Sequence, residues 1–113
     1  MHEMSICESL VSIIEDQAVA QSFSRVNMVR LEVGALAGVE IEALRFSFEV
    51  VTRNGIADGA KLDVIKLPVT GWCMPCANAV VVKERYDACP DCGSYQIQIT
   101  GGEELRIKEM EVD

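Results

Sequence analysis

Four cysteines fall in two matched pairs, Cys73-Met-Pro-Cys76 and Cys89-Pro-Asp-Cys92, separated by 12 residues. Two residues between the thiols of a pair let a tight turn aim both sulfurs at one ion, and four thiolates complete the tetrahedral shell that Zn²⁺ takes. With all four positions filled by sulfur, none is left for water or substrate, so such a zinc is structural. The spacer contains Val80, Val81 and Val82 and is long enough for a hairpin, while Gly93 lets the backbone turn sharply after the last ligand; the module reads as a zinc ribbon. Redox chemistry at one C-x-x-C, or iron–sulfur ligation, are the other uses of this spacing.

A second group of potential ligands opens the sequence, Met1-His2-Glu3. The Met1 amine, a deprotonated His2 amide and the His2 ring can close fused chelate rings in one plane, and a square-planar nitrogen-rich shell suits Ni²⁺ or Cu²⁺. A bulky residue at position two favours retention of Met1, which keeps the amine in place. Glu3 can accept a hydrogen bond from a ligand or supply an oxygen. Taken alone, a histidine at position two is most often only a residue of a frayed terminus.

The elements that must position these groups follow from periodicity. Ser5 and Glu8 have capping-box spacing and predict a helix start, and behind them Cys7, Leu10, Val11, Ile14 and Ala18 recur on one face, widened by Ile6 and Ile13. Cys7 on that face is a small buried hydrophobe. Val29, Leu31 and Val33 alternate with Arg30 and Glu32, and Gly34 closes the run, which predicts a half-buried strand over residues 26–33. Residues 39–53 fit a helix through Ile41, Leu44, Phe48 and Val51, although Phe46, Phe48 and Val50 alternate as in a strand. Glu40 and Glu42 near a helix start and Asn54-Gly55 as a left-handed stop decide for the helix. Leu62–Leu67 predicts a strand before Pro68, and Leu105 and Ile107 predict another, its phase shifting at Met110 and Val112. The expected fold class is α+β, a small three-stranded sheet with two helices plus an inserted zinc-ribbon module. Residues 1–70, completed by a C-terminal strand within 101–113, would form the main α/β domain, and residues 71–100 the ribbon.

Composition narrows the function. The chain has 113 residues and a formal net charge of −8, the wrong sign for gripping phosphate backbones, so nucleic acid is not an expected partner. Within the ribbon Lys83 and Arg85 are outnumbered by Glu84, Asp87 and Asp91, and Trp72, Tyr86 and Tyr95 are too sparse for a base-stacking platform. No apolar run is long enough to span a bilayer and the N-terminus lacks a signal-peptide pattern, which gives a cytoplasmic expectation and no membrane partner. One histidine and four mutually satisfying cysteines assemble no nucleophile–base pair, so an enzyme is not expected. A zinc-ribbon adaptor for protein partners, with no nickel role, is the alternative reading.

The combination of motifs resembles the HypA/HybF family of hydrogenase nickel-incorporation proteins. Met1-His-Glu-Met-Ser5, Arg30-Leu-Glu-Val-Gly34 followed by a helix, the two C-x-x-C pairs including Cys89-Pro-Asp-Cys92-Gly93-Ser94, and the tail from Glu104-Leu-Arg-Ile to Asp113 all fall where that family has them. The resemblance covers essentially the whole length; Ala77 departs from it, standing where a glycine is common. It implies a metallochaperone that binds Ni²⁺ as transported cargo through Met1, His2 and Glu3 and holds a structural Zn²⁺ on Cys73, Cys76, Cys89 and Cys92. It further implies a nickel-handling maturation GTPase (HypB-like) and the large subunit of [NiFe]-hydrogenase as partners, with urease maturation proteins in some organisms.

Overall fold

A computed structural model describes residues 3–113; Met1 and His2, two of the expected nickel ligands, lie outside the described residues. The elements run α1 (Glu3–Gln21), β1 (Val26–Gly34), α2 (Ile41–Val51), β2 (Lys61–Leu67), β3 (Val69–Cys73), β4 (Asn78–Val82), β5 (Ile97–Gly101) and β6 (Leu105–Val112). The strands make two three-stranded sheets, ordered β2-β1-β6 and β4-β3-β5. This is the α+β architecture expected from the sequence, two helices with a small sheet and a ribbon module. The backbone groups into two compact units, one of Met1–Leu31, Val39–Val64 and Ile107–Asp113, the other of Glu32–Gly38 and Ile65–Arg106.

In the first unit, α1 buries Ile6, Cys7, Leu10 and Ile14. Ile13, expected to widen that stripe, is instead 49% exposed. The helix also begins earlier than the Ser5–Glu8 capping box predicts, since Glu3 and Met4 are already helical. Ser5 therefore sits inside the first turn. The Glu3 carboxylate accepts the Glu40 N–H at 3.4 Å. The Cys7 thiol donates to the Leu44 carbonyl at 3.5 Å, and burial, joined by the nearby Glu3 charge, pushes it up to about 11.

α2 is a helix, as the charge and stop signals indicate. Glu40 is its N-cap, its carboxylate accepting from the Glu42 and Ala43 amides, and Asn54 takes a left-handed φ of 64° just beyond the end. Leu44, Ser47 and Phe48 are its buried residues, while Phe46 is exposed.

In β1, Val29, Leu31 and Val33 are buried and Arg30 and Glu32 half-buried, as the alternation predicts. Arg30 donates to Asp63 of β2 at 2.6 Å and also pairs with Glu109 of β6, tying the central strand to both neighbours. Its guanidinium holds the Asp63 carboxyl below the usual range, so this pairing favours the fold at neutral pH and is lost in acid. Along β6, Leu105 and Ile107 are half-buried, and the phase then slips so that Met110 is the next half-buried residue. Among the described residues no helix is long and apolar enough to cross a membrane.

The second unit differs from a simple hairpin. The sequence predicts neither β3 nor β5, yet β3 pairs antiparallel with both β4 and β5: Val69 lies opposite Val82, Gly71 opposite Val80 and Cys73 opposite Asn78, with Cys73 also opposite Ile97 of β5. Its core is Val69, Cys73, Val80, Val82 and Cys89, with Leu36, Ile97 and Ile99 packed against it. Gly34 has a steric reason to be glycine, because a Cβ there would run into the Gly102 backbone carbonyl. Its own N–H donates to the Glu104 carbonyl at 2.7 Å.

Candidate metal centre

Each cysteine pair sits in a turn at one end of the ribbon sheet. Cys73 is the last residue of β3 and Cys76 lies in the turn to β4, while Cys89 and Cys92 lie in the connection from β4 to β5. The first turn is closed by the Ala77 N–H on the Met74 carbonyl at 3.3 Å. The second is closed twice, by the Gly93 N–H on the Cys89 carbonyl at 2.9 Å and by the Cys89 N–H on the Ser94 carbonyl at 2.8 Å. Asp87 organises the approach to it, its carboxylate accepting from the Lys83 and Glu84 amides at 3.1 and 3.0 Å.

These turns bring the four sulfurs together, every one within 4.8 Å of the others. Cys73 Sγ is 3.6 Å from Cys92 Sγ, and Cys76 Sγ is 4.0 Å from Cys89 Sγ. A tetrahedral ion with metal–sulfur bonds of about 2.3 Å needs sulfur–sulfur edges of about 3.8 Å. The donor set and its spacing therefore fit Zn²⁺ with little movement. Cys73 and Cys89 are buried, Cys76 is half-buried and Cys92 exposed, so the site opens at one corner.

The thiols are unequal. Hydrogen bonding with the Cys92 and Cys73 thiols, together with burial, pushes Cys76 up to about 12. Burial also acts to raise Cys89, but the Asp91 and Cys92 amides and neighbouring thiols outweigh it and bring Cys89 down to about 7. The Asp91 N–H points at Cys89 Sγ from 3.4 Å. Backbone amides aimed at one sulfur favour its thiolate, the form a metal binds.

The residue after each pair takes the same unusual conformation. Gly93 has φ 77° and Ala77 φ 48°, both left-handed. Glycine adopts this freely, whereas a residue with a Cβ is strained there by about 1–2 kcal/mol. The sequence marks Gly93 as a turn residue and Ala77 as a departure; the backbone shows why the two positions ask for the same residue. Ala77→Gly is expected to raise the thermal stability of the metal-loaded ribbon, by up to about 1 kcal/mol once the extra freedom of glycine in the unfolded chain is subtracted. Gly93→Ala is expected to act in the opposite direction, and melting of the two variants beside the parent checks the sign.

Of the expected nickel ligands, only Glu3 lies among the described residues. It is the first residue of α1, half-buried, with its carboxylate on the Glu40 amide. The approach of Glu40 was not legible in the sequence, because residues 3 and 40 are joined only through the packing of α1 and α2.

Comparison with known proteins supplies the family. Residues 1–112 match the family described as hydrogenase/urease nickel incorporation, metallochaperone, hypA. The hydrogenase maturation factor HypA of Azotobacter chroococcum is 56% identical over 113 residues, covering all of both chains. That of Alkalilimnicola ehrlichii is 57% identical over 113 residues, again with full coverage of both. In fold, the chain is similar to the solution structure of the Ni metallochaperone HypA from Helicobacter pylori, with a TM-score of 0.72 at 24% identity, covering 99% of this chain and 97% of that one. From its first residue to its penultimate one, therefore, this chain belongs to the HypA family of nickel-incorporation metallochaperones.

Proposed function

We propose that the chain binds Ni²⁺ at its N-terminus and helps insert it into the large subunit of [NiFe]-hydrogenase, while a structural Zn²⁺ stays on Cys73, Cys76, Cys89 and Cys92. The observation that carries this reading is the family match along the whole chain, joined by full-length relatives that are hydrogenase maturation factors. The nickel ligands are the Met1 amine, the His2 amide and ring, and Glu3, a planar nitrogen-rich set suited to Ni²⁺. Such ligands on a terminus can be offered and withdrawn, which a carrier needs. Zn²⁺, when bound, ties the two cysteine turns together, and its filled sulfur shell leaves it no place in catalysis. In this reading residues 1–70 with the C-terminal strand of 101–113 handle nickel and residues 71–100 form the zinc domain. Binding and hand-over take place in the cytoplasm with a HypB-like GTPase, and the same carrier chemistry serves urease maturation where that client is present. The family's work is metal delivery and not turnover of a substrate, in keeping with the lack of a nucleophile–base pair in the sequence.

Calorimetric titration of the zinc-loaded protein with Ni²⁺ decides between this and a zinc-ribbon adaptor. The parent is expected to bind one nickel, and both His2→Ala and an N-terminal extension to weaken it by about tenfold or more while zinc is retained. Protons compete for the terminal amine and for an imidazole that ordinarily titrates near pH 6.5, so affinity is expected to fall as pH drops through about that value. Equal binding by all three proteins, or an affinity independent of pH, would overturn the N-terminal site.

A further inference from the structure

The six arginines of the chain fall into two groups. Arg30, Arg85 and Arg106 each pair with a carboxylate. Arg25, Arg45 and Arg53 pair with none among the described residues, although the chain has 18 acidic residues against 10 basic ones. These three gather at one place in the first unit. A pocket of about 430 Å³ lies between α2, the connection that follows it and the start of β2, and Arg45 and Arg53 line it. Arg25 braces its wall from behind, donating to the Asp58 carbonyl next to Gly59.

The guanidiniums are held without being neutralised. Arg45 Nη1 donates to the Leu62 carbonyl at 2.5 Å, which fixes the group and leaves most of its five donors open. The Arg53 guanidinium has no partner among the described residues. Nor does the end of α2 need these side chains: the Phe48 carbonyl takes the Thr52 amide and hydroxyl, and the Val50 carbonyl takes the Arg53 amide. Two carboxylates also line the pocket. That of Asp58 accepts the Asn54 amide at 3.0 Å and is spent on the turn. Glu49 stands four residues from both Arg45 and Arg53, a spacing that sets it between them on the helix, yet it hydrogen-bonds to neither. Asp63, close enough to feel Arg45, is held by Arg30 at 2.6 Å. Phe48 and Leu62, both buried, give the pocket an apolar floor. Planar guanidinium forks of fixed charge match the oxygens of carboxylate or phosphate. A carboxylate brings a single charge, no more than Glu49 already offers, whereas a phosphate group carries about −1.5 to −2 at neutral pH and three strong acceptor oxygens. It can engage both forks at once.

We propose that this pocket binds a phosphate group, free or as the ester of a small molecule, between Arg45 and Arg53. No residue of the N-terminal nickel reading or of the cysteine cluster takes part, so the proposal stands apart from both. It is tested by following amide shifts of the full-length zinc-loaded protein by NMR during titration with phenyl phosphate, inorganic phosphate and benzoate. The expected result is saturable shifts over residues 45–62 with both phosphates, and binding of benzoate at least about tenfold weaker. Tighter binding of phenyl phosphate than of inorganic phosphate identifies an ester as the ligand, and equal binding identifies the free ion; either supports the site. Arg53→Gln is expected to weaken phenyl phosphate by about tenfold or more. Glu49→Gln, which removes the competing charge, is expected to tighten it by about threefold, an effect that a merely structural Glu49 would not give. Both side chains are exposed, and circular dichroism verifies that the variants fold. Absence of saturable shifts, parent-like binding by Arg53→Gln, unchanged or weaker binding by Glu49→Gln, or benzoate binding as tightly as phenyl phosphate would each overturn the proposal.

Discussion

Cys73→Ser, or stripping the metal with a chelator, is expected to unfold the ribbon strands β3, β4 and β5 while leaving α1 and α2 folded. The ribbon's apolar core is short, with Val69, Val80 and Val82 its buried aliphatic residues and Cys73 and Cys89 making up the rest. Two of its five core members are thus sulfurs that a bound metal would hold. Structural Zn²⁺ sites contribute on the order of 10–16 kcal/mol of apparent binding free energy at neutral pH, and in modules this small that energy is folding energy. No other interaction named in this structure is of that size. Hydrogen exchange resolved by segment is the measurement: protection over 69–73, 78–82 and 97–101 should collapse, with a red shift of Trp72, while protection over 6–20 and 43–50 persists. Undiminished protection in the ribbon after complete metal removal would mean that its valines and its backbone ladder suffice.

The second large effect belongs to the helical pair. Leu44→Ala is expected to destabilise the first unit by about 2–5 kcal/mol, the usual range for emptying a fully buried leucine site. Leu44 has no exposed surface, and it shares this core with Ile14, Val29 and Leu31, which are equally buried. Little relaxation is available around it, because its own carbonyl is held by the Cys7 thiol across the α1–α2 contact. Urea unfolding followed by far-ultraviolet circular dichroism gives the loss of stability, and zinc stoichiometry should be unchanged because no cysteine ligand is touched. If Glu3 serves in the proposed N-terminal nickel site, its carboxylate's contact with the amide at the start of α2 ties the two together, and nickel affinity of the same variant should fall with helix stability.

Which parts of this were readable from the residues alone has a physical explanation. Chelation by C-x-x-C depends on covalent spacing, so the meeting of Cys73, Cys76, Cys89 and Cys92 was visible without a fold. α1 and β1 were visible because each has a clear apolar period, whereas α2, whose apolar residues also fit a strand, was settled by Glu40, Glu42 and Asn54-Gly55, and β6 by the alternation of Leu105 and Ile107 before its phase slips. β3 was not, for Gly71 and Cys73 break its apolar pattern and its first residue follows a proline; Gly71 is there because a Cβ would strike Ile97 of the neighbouring strand at 2.5 Å. β5 carried a usable signal, Ile97 and Ile99 alternating with Gln98 and Thr100, but its place between a ligand turn and two glycines masked it. The helix start was misplaced because Ser5 and Glu8 have capping spacing that the chain does not use. The left-handed turn at Ala77 was flagged only as an odd residue, since sequence records the type of a side chain and not the sign of φ.

The sheet order β2-β1-β6 also bears on how the molecule is made. The central strand gains one neighbour after the short excursion through α2, but the other only after the entire ribbon has been synthesised. Pairings between segments far apart in sequence are slow to form, and on the ribosome they cannot form until the later segment emerges. Through most of translation, then, one side of β1 waits without its partner, and a ribbon that has already captured its metal shortens the search that brings β6 home. With a metal on the four cysteines, its supply during synthesis would in that way govern the yield of correctly closed chains.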